Sequence, residues 1–276
     1  MINVMERFLQ GKVSLEKCED NIVVTDDFAA VIDGATSQSD ISVGGKTAGA
    51  LAAGIVAEAI TTLPAEAGLT ETAQHVTAAI RRCSERLGLW NVEELQQHPE
   101  RRLTASAAVY SRHLRQVWLV GDCQCLVGGK LWTNAKKIDT LMAESRAAFI
   151  AAELLKGASA EDFLVHDRGR EFIRPFLKSQ PIFQNSPQGG EYAFSVFDGF
   201  PVLLDHVKTI PVAEGTQVVL ASDGYPCLFP SLEASERSLR SLLERDPLCI
   251  GEYRATKGVR RGQSSFDDRA YLSFLA

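Results

Sequence analysis

The feature that most constrains this sequence is a set of short apolar runs, each of which begins or ends in a carboxylate. The acidic ends, in order, are Glu19-Asp20, Asp33-Gly34, Gly121-Asp122, Ser222-Asp223-Gly224 and Asp267-Asp268. Short apolar runs bounded by Gly and Asp are typical of β-strands, and glycine fits the sharp turns that follow them. The sequence therefore predicts several buried strands with acidic ends.

A carboxylate at the end of a buried strand loses part of its hydration, which is costly unless a partner compensates the charge. Several such carboxylates brought together would repel one another, and some of their pKa values would rise. Hard divalent cations, which prefer oxygen ligands, are the usual compensation. Asp-Gly is also a common turn dipeptide, so turn chemistry stays open for any single case. Recurrence at five strand ends favours a Mg²⁺ or Mn²⁺ site, and two metals sharing a carboxylate would favour phosphoester hydrolysis.

The apolar runs are connected by hairpins and do not alternate strictly with helices. Hairpins are predicted at 21–33 and 124–132, and further strands at 104–110, 116–120, 192–196, 206–210, 216–221 and 269–275. Helices are predicted at 44–63, 71–89, 232–244 and 247–255, with a charged helical insertion at about 139–177. This organisation favours antiparallel sheets, an α+β fold and a single domain over 1–276.

The charge balance excludes binding that depends on bulk positive charge. The chain of 276 residues has 35 acidic and 29 basic side chains, for a net charge of −6. No excess of lysine and arginine is available to neutralise nucleic acid or an anionic membrane, so neither is expected as a partner. The six cysteines form no C-x-x-C pair, and no segment has the pattern of a secretory signal or a membrane span. A cytoplasmic protein with reduced thiols is therefore expected.

The order of the acidic motifs resembles that of the metal-dependent serine/threonine protein phosphatases of the 2C type, of which this chain would be a divergent member. That family has an acidic pair, a strand ending in Asp-Gly, a Gly-Asp-Ser-Arg-like hairpin, an Ala-Ser-Asp-Gly element and a terminal acidic pair. The corresponding segments here are Glu19-Asp20, Asp33-Gly34, 121–124, 221–224 and Asp267-Asp268. The resemblance runs from about residue 11 to 276. It implies an α-β-β-α sandwich, in which two packed antiparallel β-sheets are flanked by helices.

The resemblance also implies a binuclear Mn²⁺ or Mg²⁺ site at one end of the sandwich. Asp33 would bridge the two metals, and the carbonyl of Gly34 would bind one of them. Asp223 and Asp267 would hold the other metal, so Asp33, Asp223 and Asp267 are the predicted catalytic residues. The implied reaction is hydrolysis of phosphoserine or phosphothreonine esters by a water that bridges the metals, and the implied partner is a phosphorylated protein.

Four further acidic residues have supporting roles by the same resemblance. Glu19 and Asp20 would bind the metals directly or through water. Asp122, together with Asp223, would hold a third metal more weakly. Asp268 occupies a position where the family has Asn or Asp, which implies a supporting role.

The sequence departs from the family pattern in the groups that would handle the phosphate. Ala35 stands where many members have a histidine, a candidate general acid for the leaving alkoxide. Lys12 or Lys17 must replace an arginine that binds the phosphate, although lysine lacks the bidentate fork of arginine. Gln124 replaces the hairpin arginine, and His206 is the least improbable substitute acid among the five histidines.

These departures leave two alternatives open. The chain would be a catalytically weak or inactive phosphatase-like module that binds metal or a partner, or a phosphatase of a small phosphorylated metabolite. Two basic segments bear on this choice. Lys136-Lys137 is interpreted as a solvated face, whereas the basic loop 257–261, just before Asp267, is a candidate receiver for a phosphorylated partner.

Overall fold

The computed structural model describes residues 1–36 and 41–276. Its strands are β1 (Asn3–Gln10), β2 (Asp20–Val24), β3 (Phe28–Gly34), β4 (Ser42–Val43), β5 (Lys46–Thr47), β6 (Ala105–Ser111), β7 (Gln116–Val120), β8 (Gln124–Val127), β9 (Lys130–Trp132), β10 (Lys208–Pro211), β11 (Gln217–Ala221) and β12 (Arg269–Leu275). Its helices are α1 (Ala48–Thr61), α2 (Leu69–Arg86), α3 (Val92–Gln97), α4 (Lys137–Leu155), α5 (Ala160–Val165), α6 (Arg168–Ser179) and α7 (Leu232–Arg245).

Two five-stranded antiparallel sheets form the centre of the protein. The first has the order β1-β12-β11-β8-β9 and the second the order β10-β7-β6-β3-β2, while β4 and β5 form a separate short hairpin. Val31 and Tyr110 of the second sheet pack against Leu220 and Phe274 of the first, all fully buried. This layer of apolar side chains between the sheets is the core of a sandwich, so the predicted fold class is confirmed.

Helices cover the outer faces of the sandwich. The alternate residues of β3, such as Ala30 and Ile32, point away from the first sheet and pack with Val56 of α1 and Ile80 of α2. On the opposite outer face, buried side chains of β8, β11 and β12 pack beneath Leu232 at the start of α7. The two faces of each sheet are therefore both apolar, which explains the continuous hydrophobic runs in the sequence.

The end of β3 and the start of α1 approach so closely that only glycine fits. A Cβ atom on Gly34 would lie 2.2 Å from the carbonyl oxygen of Gly49 and 2.6 Å from that of Glu19. Both atoms belong to the backbone and have no rotamer to change. The contact therefore sets the distance between the strand end that carries Asp33 and the first turn of α1.

Gly34→Ala is expected to lower the free energy of unfolding by about 1–3 kcal/mol, because the backbone at this contact must shift. Gly54→Ala in α1 is the matched control, since a Cβ there meets nothing within 4 Å. Alanine at that partly exposed helical position should be neutral or stabilising by up to about 1 kcal/mol. Urea unfolding of both variants measures the difference, and equal effects would contradict the close-contact explanation.

Two predicted elements are absent because side chains take their backbone hydrogen bonds. Residues 192–196 make no strand ladder, since the Asn185 side chain donates to the Val196 carbonyl and accepts from its N–H. Residues 247–255 are not helical, because the carboxylate of Asp246 accepts from the N–H groups of Ile250 and Gly251. The start of a third predicted element is wrong. The helix predicted at 44–63 begins at Ala48, because a glycine turn between β4 and β5 precedes it.

The edge strand β1 was not predicted, and it pairs with β12 from Asn3 to Gln10 with one register shift between Val4 and Glu6. The helical insertion predicted at 139–177 corresponds to α4, α5 and α6. Its buried centre is Arg146 of α4, whose guanidinium pairs with Asp167 at the start of α6. The division of the chain into one domain with an insertion stays a prediction.

Candidate active site

The acidic strand ends meet at one end of the sandwich, around a cavity of about 450 Å³. Asp33 lies near the end of β3, and Asp122 lies just after β7. These two strands run parallel to each other, because each pairs antiparallel with β6, which lies between them. Asp223 follows β11 and Asp267 precedes β12, the antiparallel partner of β11 in the other sheet. All four carboxylates line the cavity. The fold therefore brings together residues that are far apart in the sequence, such as Asp33 and Asp267, which are separated by 234 positions.

Three carboxylates at this end, the buried Asp20 and the partly buried Asp33 and Asp223, have no cation paired with them among the described residues. Burial raises the pKa of Asp33 well above its usual range, and the charges of Asp20 and Asp122 raise it further. Burial likewise raises the pKa of Asp223, with Asp33 as the largest charge acting on it. Burial also raises the pKa of Asp20, although a hydrogen bond donated by Ser222 acts in the opposite direction. The Oδ2 atom of Asp20 has no hydrogen-bond partner. Within the described residues, the ion pairs of the cavity go to other acids.

Asp122 and Asp267 are each held by lysine. Lys136 Nζ lies 2.8 Å from Asp122 Oδ2, and Ser106 donates to Asp122 Oδ1 at 2.6 Å. Asp267 pairs with Lys12 Nζ at 3.2 Å and with Lys257 on its other oxygen. Burial opposes ionisation of both acids, but the lysines outweigh it and lower the pKa of each. These two carboxylates are therefore compensated by cations of the chain itself.

Glu19 and Asp268 lie behind the cavity wall and hold the N-terminal segment. Thr47 donates to Glu19 Oε1 at 2.5 Å and Thr36 donates to Oε2 at 2.9 Å. Asp268 accepts from the backbone N–H groups of Lys12, at 2.7 Å, and Glu19, at 3.1 Å. Both oxygens of each side chain are thus engaged in joining this segment to β12 and α1.

Neither lysine predicted to bind phosphate lines the cavity. The Lys12 ammonium is placed among Asp267, Asp268 and Glu19, so the cost of burying it is outweighed and its pKa is raised. Lys17 is exposed on a short 3₁₀ turn. The described cations that do line the cavity come from other segments, and they are Arg102, Lys136, Arg170, Arg254 and Lys257.

Lys136 corrects an interpretation made from the sequence. Its side chain is only 12 % exposed and points to Asp122, so it is not part of a solvated face, whereas Lys137 is exposed and pairs with Glu191. A lysine directly before a helix carries no sequence signal that distinguishes a mostly buried lysine paired inside a cavity from an exposed one. The basic loop 257–261 lies beside Asp267, as its position in the sequence indicated, since Lys257 contacts that aspartate.

The positions that depart from the family pattern are also at the cavity. Ala35 lines it, next to Asp33. Gln124 is buried and donates to the carbonyls of Ser222, at 3.1 Å, and Tyr225, at 2.7 Å, so it holds the loop that carries Asp223. None of the five histidines, His206 included, lines the cavity. The structure therefore offers no histidine as a proton donor in this place.

The donor set fits a hard divalent cation in part. Asp20, Asp33 and Asp223 are crowded oxygen donors, of which Asp20 is buried and the other two partly buried, and an orphaned oxygen on Asp20 is the kind of atom a cation would satisfy. Asp122 and Asp267 differ from these three acids, because lysines of the chain already compensate their charges. Among the described residues, no group of three or more His, Cys, Asp or Glu side chains stands in the arrangement of a ready-made metal site.

Comparison with known proteins gives structural matches only. No family model matches the chain, and no curated protein sequence matches it. The solved structures matched include the Mycobacterium tuberculosis serine/threonine phosphatase PstP/Ppp, with 14% identity over 99% of both chains and a TM-score of 0.47. A catalytic domain of PstP in complex with two manganese ions has 13% identity over 100% of both chains and a TM-score of 0.48. The PPM phosphatase MsPP from Mycobacterium smegmatis has 15% identity, covers 99% of this chain and 98% of its own, and has a TM-score of 0.45.

PstP and MsPP are both described as serine/threonine phosphatases. In the described part of the chain, no helix combines the length and the apolar character needed to cross a membrane.

Proposed function

We propose that the cavity is the active site of a Mn²⁺- or Mg²⁺-dependent phosphatase that hydrolyses phosphoserine or phosphothreonine esters. The observation that carries the proposal is the group of three carboxylates, the buried Asp20 and the partly buried Asp33 and Asp223, whose pKa values are raised by desolvation and by the charges of neighbouring acids. Such a group costs free energy in a folded protein, and carboxylates perturbed in this way are typical of functional sites. A divalent cation would convert that cost into binding energy.

Asp33 and Asp223 are the proposed carboxylate ligands, together with Asp267 and the carbonyl of Gly34. When bound, the metal would supply Lewis acidity and activate the attacking water. Lys12 and Lys257 each pair with one oxygen of Asp267, so a cation at that carboxylate would compete with both ammonium groups. The sandwich provides rigidity, because Asp33 lies at the end of β3 and Asp223 lies two residues after β11, and both strands are hydrogen-bonded on both sides.

Cations of the cavity wall are the proposed phosphate ligands, in place of Lys12 and Lys17. Lys136 and Lys257 each approach the cavity from beside an aspartate. Arg170 lines the same wall, with its guanidinium anchored on the Thr256 carbonyl at 2.9 Å. Positive groups in a largely water-excluded wall bind phosphate oxygens and orient the ester for attack.

Ala35 predicts a strong dependence on the leaving group. Because no histidine lines the cavity, an aryl phosphate, whose phenolate leaves without a proton, should react faster than an alkyl phosphate. Introducing a general acid with Ala35→His should raise turnover of a phosphoserine peptide by about 100-fold and leave nitrophenyl phosphate nearly unchanged. Steady-state rates on the two substrates measure this, and an equal rise on both would contradict the assignment of a missing acid.

The test of the proposed function is hydrolysis of nitrophenyl phosphate and of phosphoserine and phosphothreonine peptides, with Mn²⁺ added or chelated. Activity should require the metal and should be lost in Asp223→Asn. Asp26→Asn is the matched control, because Asp26 is an exposed aspartate in the turn between β2 and β3, outside the cavity lining. Turnover that survives chelation, or that is unaffected by Asp223→Asn, would overturn the proposal.

A second candidate is a phosphatase-like module that binds metal or a partner without efficient turnover. The observation that favours it is the pairing of Asp122 and Asp267 with lysines of the same chain. Mn²⁺ binding in calorimetry without turnover on any phosphopeptide would support this candidate. A small phosphorylated metabolite is the alternative substrate, and faster hydrolysis of a sugar phosphate than of either peptide would favour it.

A further inference from the structure

Lys136 is a buried cation that three parts of the fold hold in place. Its Nζ lies 2.8 Å from Asp122 Oδ2 and 4.0 Å from Asp139 Oδ2. It also lies 5.0 Å from the centre of the Phe194 ring, a distance at which an ammonium is attracted to the aromatic face. With 12 % of its side chain exposed, the lysine keeps few of the rotamers of a surface lysine.

Asp122 uses both of its oxygens within the chain. Oδ1 accepts from Ser106 of β6 at 2.6 Å, and Oδ2 faces the ammonium. Its side chain is 17 % exposed, so water screens this pair only weakly. A divalent cation that binds at Oδ2 would have to displace the ammonium or share the oxygen with it, and two cations at hydrogen-bond distance repel strongly in such surroundings.

We propose that Lys136 is the permanent cation of Asp122, so that Asp122 takes no metal ion in this chain and removal of Lys136 opens a cation site there. Asp122 then serves to position a fixed positive charge in the cavity wall, and Asp139 and Phe194 help to hold that charge. The inference deepens the proposed function, because it concerns the metal content of the same cavity. It differs from the metal role that the family resemblance implied for Asp122.

Counting bound Mn²⁺ tests this inference without any measurement of activity. The electron paramagnetic resonance signal of free Mn²⁺, recorded during a titration, gives the number of ions bound per chain. Wild type and Asp122→Asn should bind the same number. Lys136→Met should bind one more, and the double variant Lys136→Met/Asp122→Asn should lose that extra ion. Lys137→Met is the matched control, because the neighbouring lysine is exposed and pairs with Glu191, so the number should not change.

Two results would overturn the inference. One is that Asp122→Asn binds one Mn²⁺ fewer than wild type, which would make Asp122 a metal ligand already. The other is that Lys136→Met gains no ion. If Lys136→Met fails to fold by circular dichroism, Lys136→Gln, which keeps a hydrogen-bond donor, takes its place under the same criteria. A wild-type chain that binds no Mn²⁺ would defeat the proposed function, while an ion gained in Lys136→Met and lost with Asp122→Asn would still uphold the inference.

Discussion

Asp33→Asn is expected to abolish metal-dependent phosphoester hydrolysis and, at the same time, to stabilise the metal-free protein. Loss of the carboxylate should lower kcat by about 1000-fold or more, because a metal contributes several kcal/mol to stabilising the developing charge. In the absence of metal, the neutral amide avoids the cost of burying an unpaired charge among other acids. The free energy of unfolding should rise by roughly 1–3 kcal/mol.

The stabilisation should depend on pH with a definite sign. Burial and the neighbouring acids raise the pKa of Asp33 in the folded state above the ordinary value of 3.8. The folded carboxyl therefore holds its proton where the unfolded one has lost it, and the metal-free wild type loses stability as pH rises above about 4. The advantage of Asp33→Asn should shrink as pH falls toward the ordinary value and vanish below it, where both states of wild type are protonated.

Thermal unfolding in the presence of a chelator, from pH 4 to pH 8, measures this effect. Asp26→Asn serves again as the control, since an exposed aspartate should change stability by less than about 0.5 kcal/mol. Added Mn²⁺ should reverse the order, stabilising wild type by mass action and leaving Asp33→Asn nearly unchanged. A metal-free Asp33→Asn that is less stable than wild type at pH 7 would show that the carboxylate has a structural partner.

Arg146→Met is expected to be the most destabilising single substitution outside the cavity lining. The Arg146 side chain is fully buried, and two of its nitrogens pair with Asp167, with Nη2 at 2.7 Å from Oδ2. Its Nη1 donates to the carbonyls of Leu248, at 2.9 Å, and Ala255, at 3.1 Å. Methionine would leave a buried aspartate without its counter-ion, with only the N–H of Arg170 still donating to it, and would remove the donor to these carbonyls. Such a loss costs about 3–5 kcal/mol.

The effect should reach the cavity as well, because the loop that Arg146 holds continues to Lys257. Arg254→Met is the matched control, since that exposed guanidinium pairs with Glu144 at the surface and should contribute less than about 1 kcal/mol. Urea unfolding compares the two. Arg146→Met/Asp167→Asn should recover part of the loss, because it removes the uncompensated charge. Equal midpoints for Arg146→Met and Arg254→Met would refute the buried-pair account.

Local structure with strong patterning was predictable from the sequence. The hairpin β8–β9 and the strands β7 and β12 lie where apolar runs and turn residues placed them, because strand faces and tight turns are properties of neighbouring residues. Elements whose hydrogen bonds go to distant side chains were not predictable. The missing helix at 247–255 depends partly on Arg146, which lies about 100 residues earlier and takes three of its carbonyl groups.

The same division applies to the cavity. The acidic strand ends were visible as residues, since a carboxylate after a buried strand is unusual wherever the chain folds. Which of them carry a partner was not visible. Lys136 and Lys257 reach Asp122 and Asp267 only through the placement of α4 and of the loop before β12. Lys12, the predicted phosphate ligand, is instead held between Asp267 and Asp268 and does not line the cavity.

The sequence by itself determined the antiparallel α+β class and the set of acids at the strand ends, because apolar runs joined by hairpins and the cost of buried charge are local properties. Only the tertiary structure decided how those acids are compensated. The strand order brings β3 and β7 of one sheet to the same end as β11 and β12 of the other, and three-dimensional packing delivers the lysines. Asp33 and Asp223 stay unpaired while Asp122 and Asp267 do not, since an ion pair depends on distance in space, which separation along the chain does not reveal.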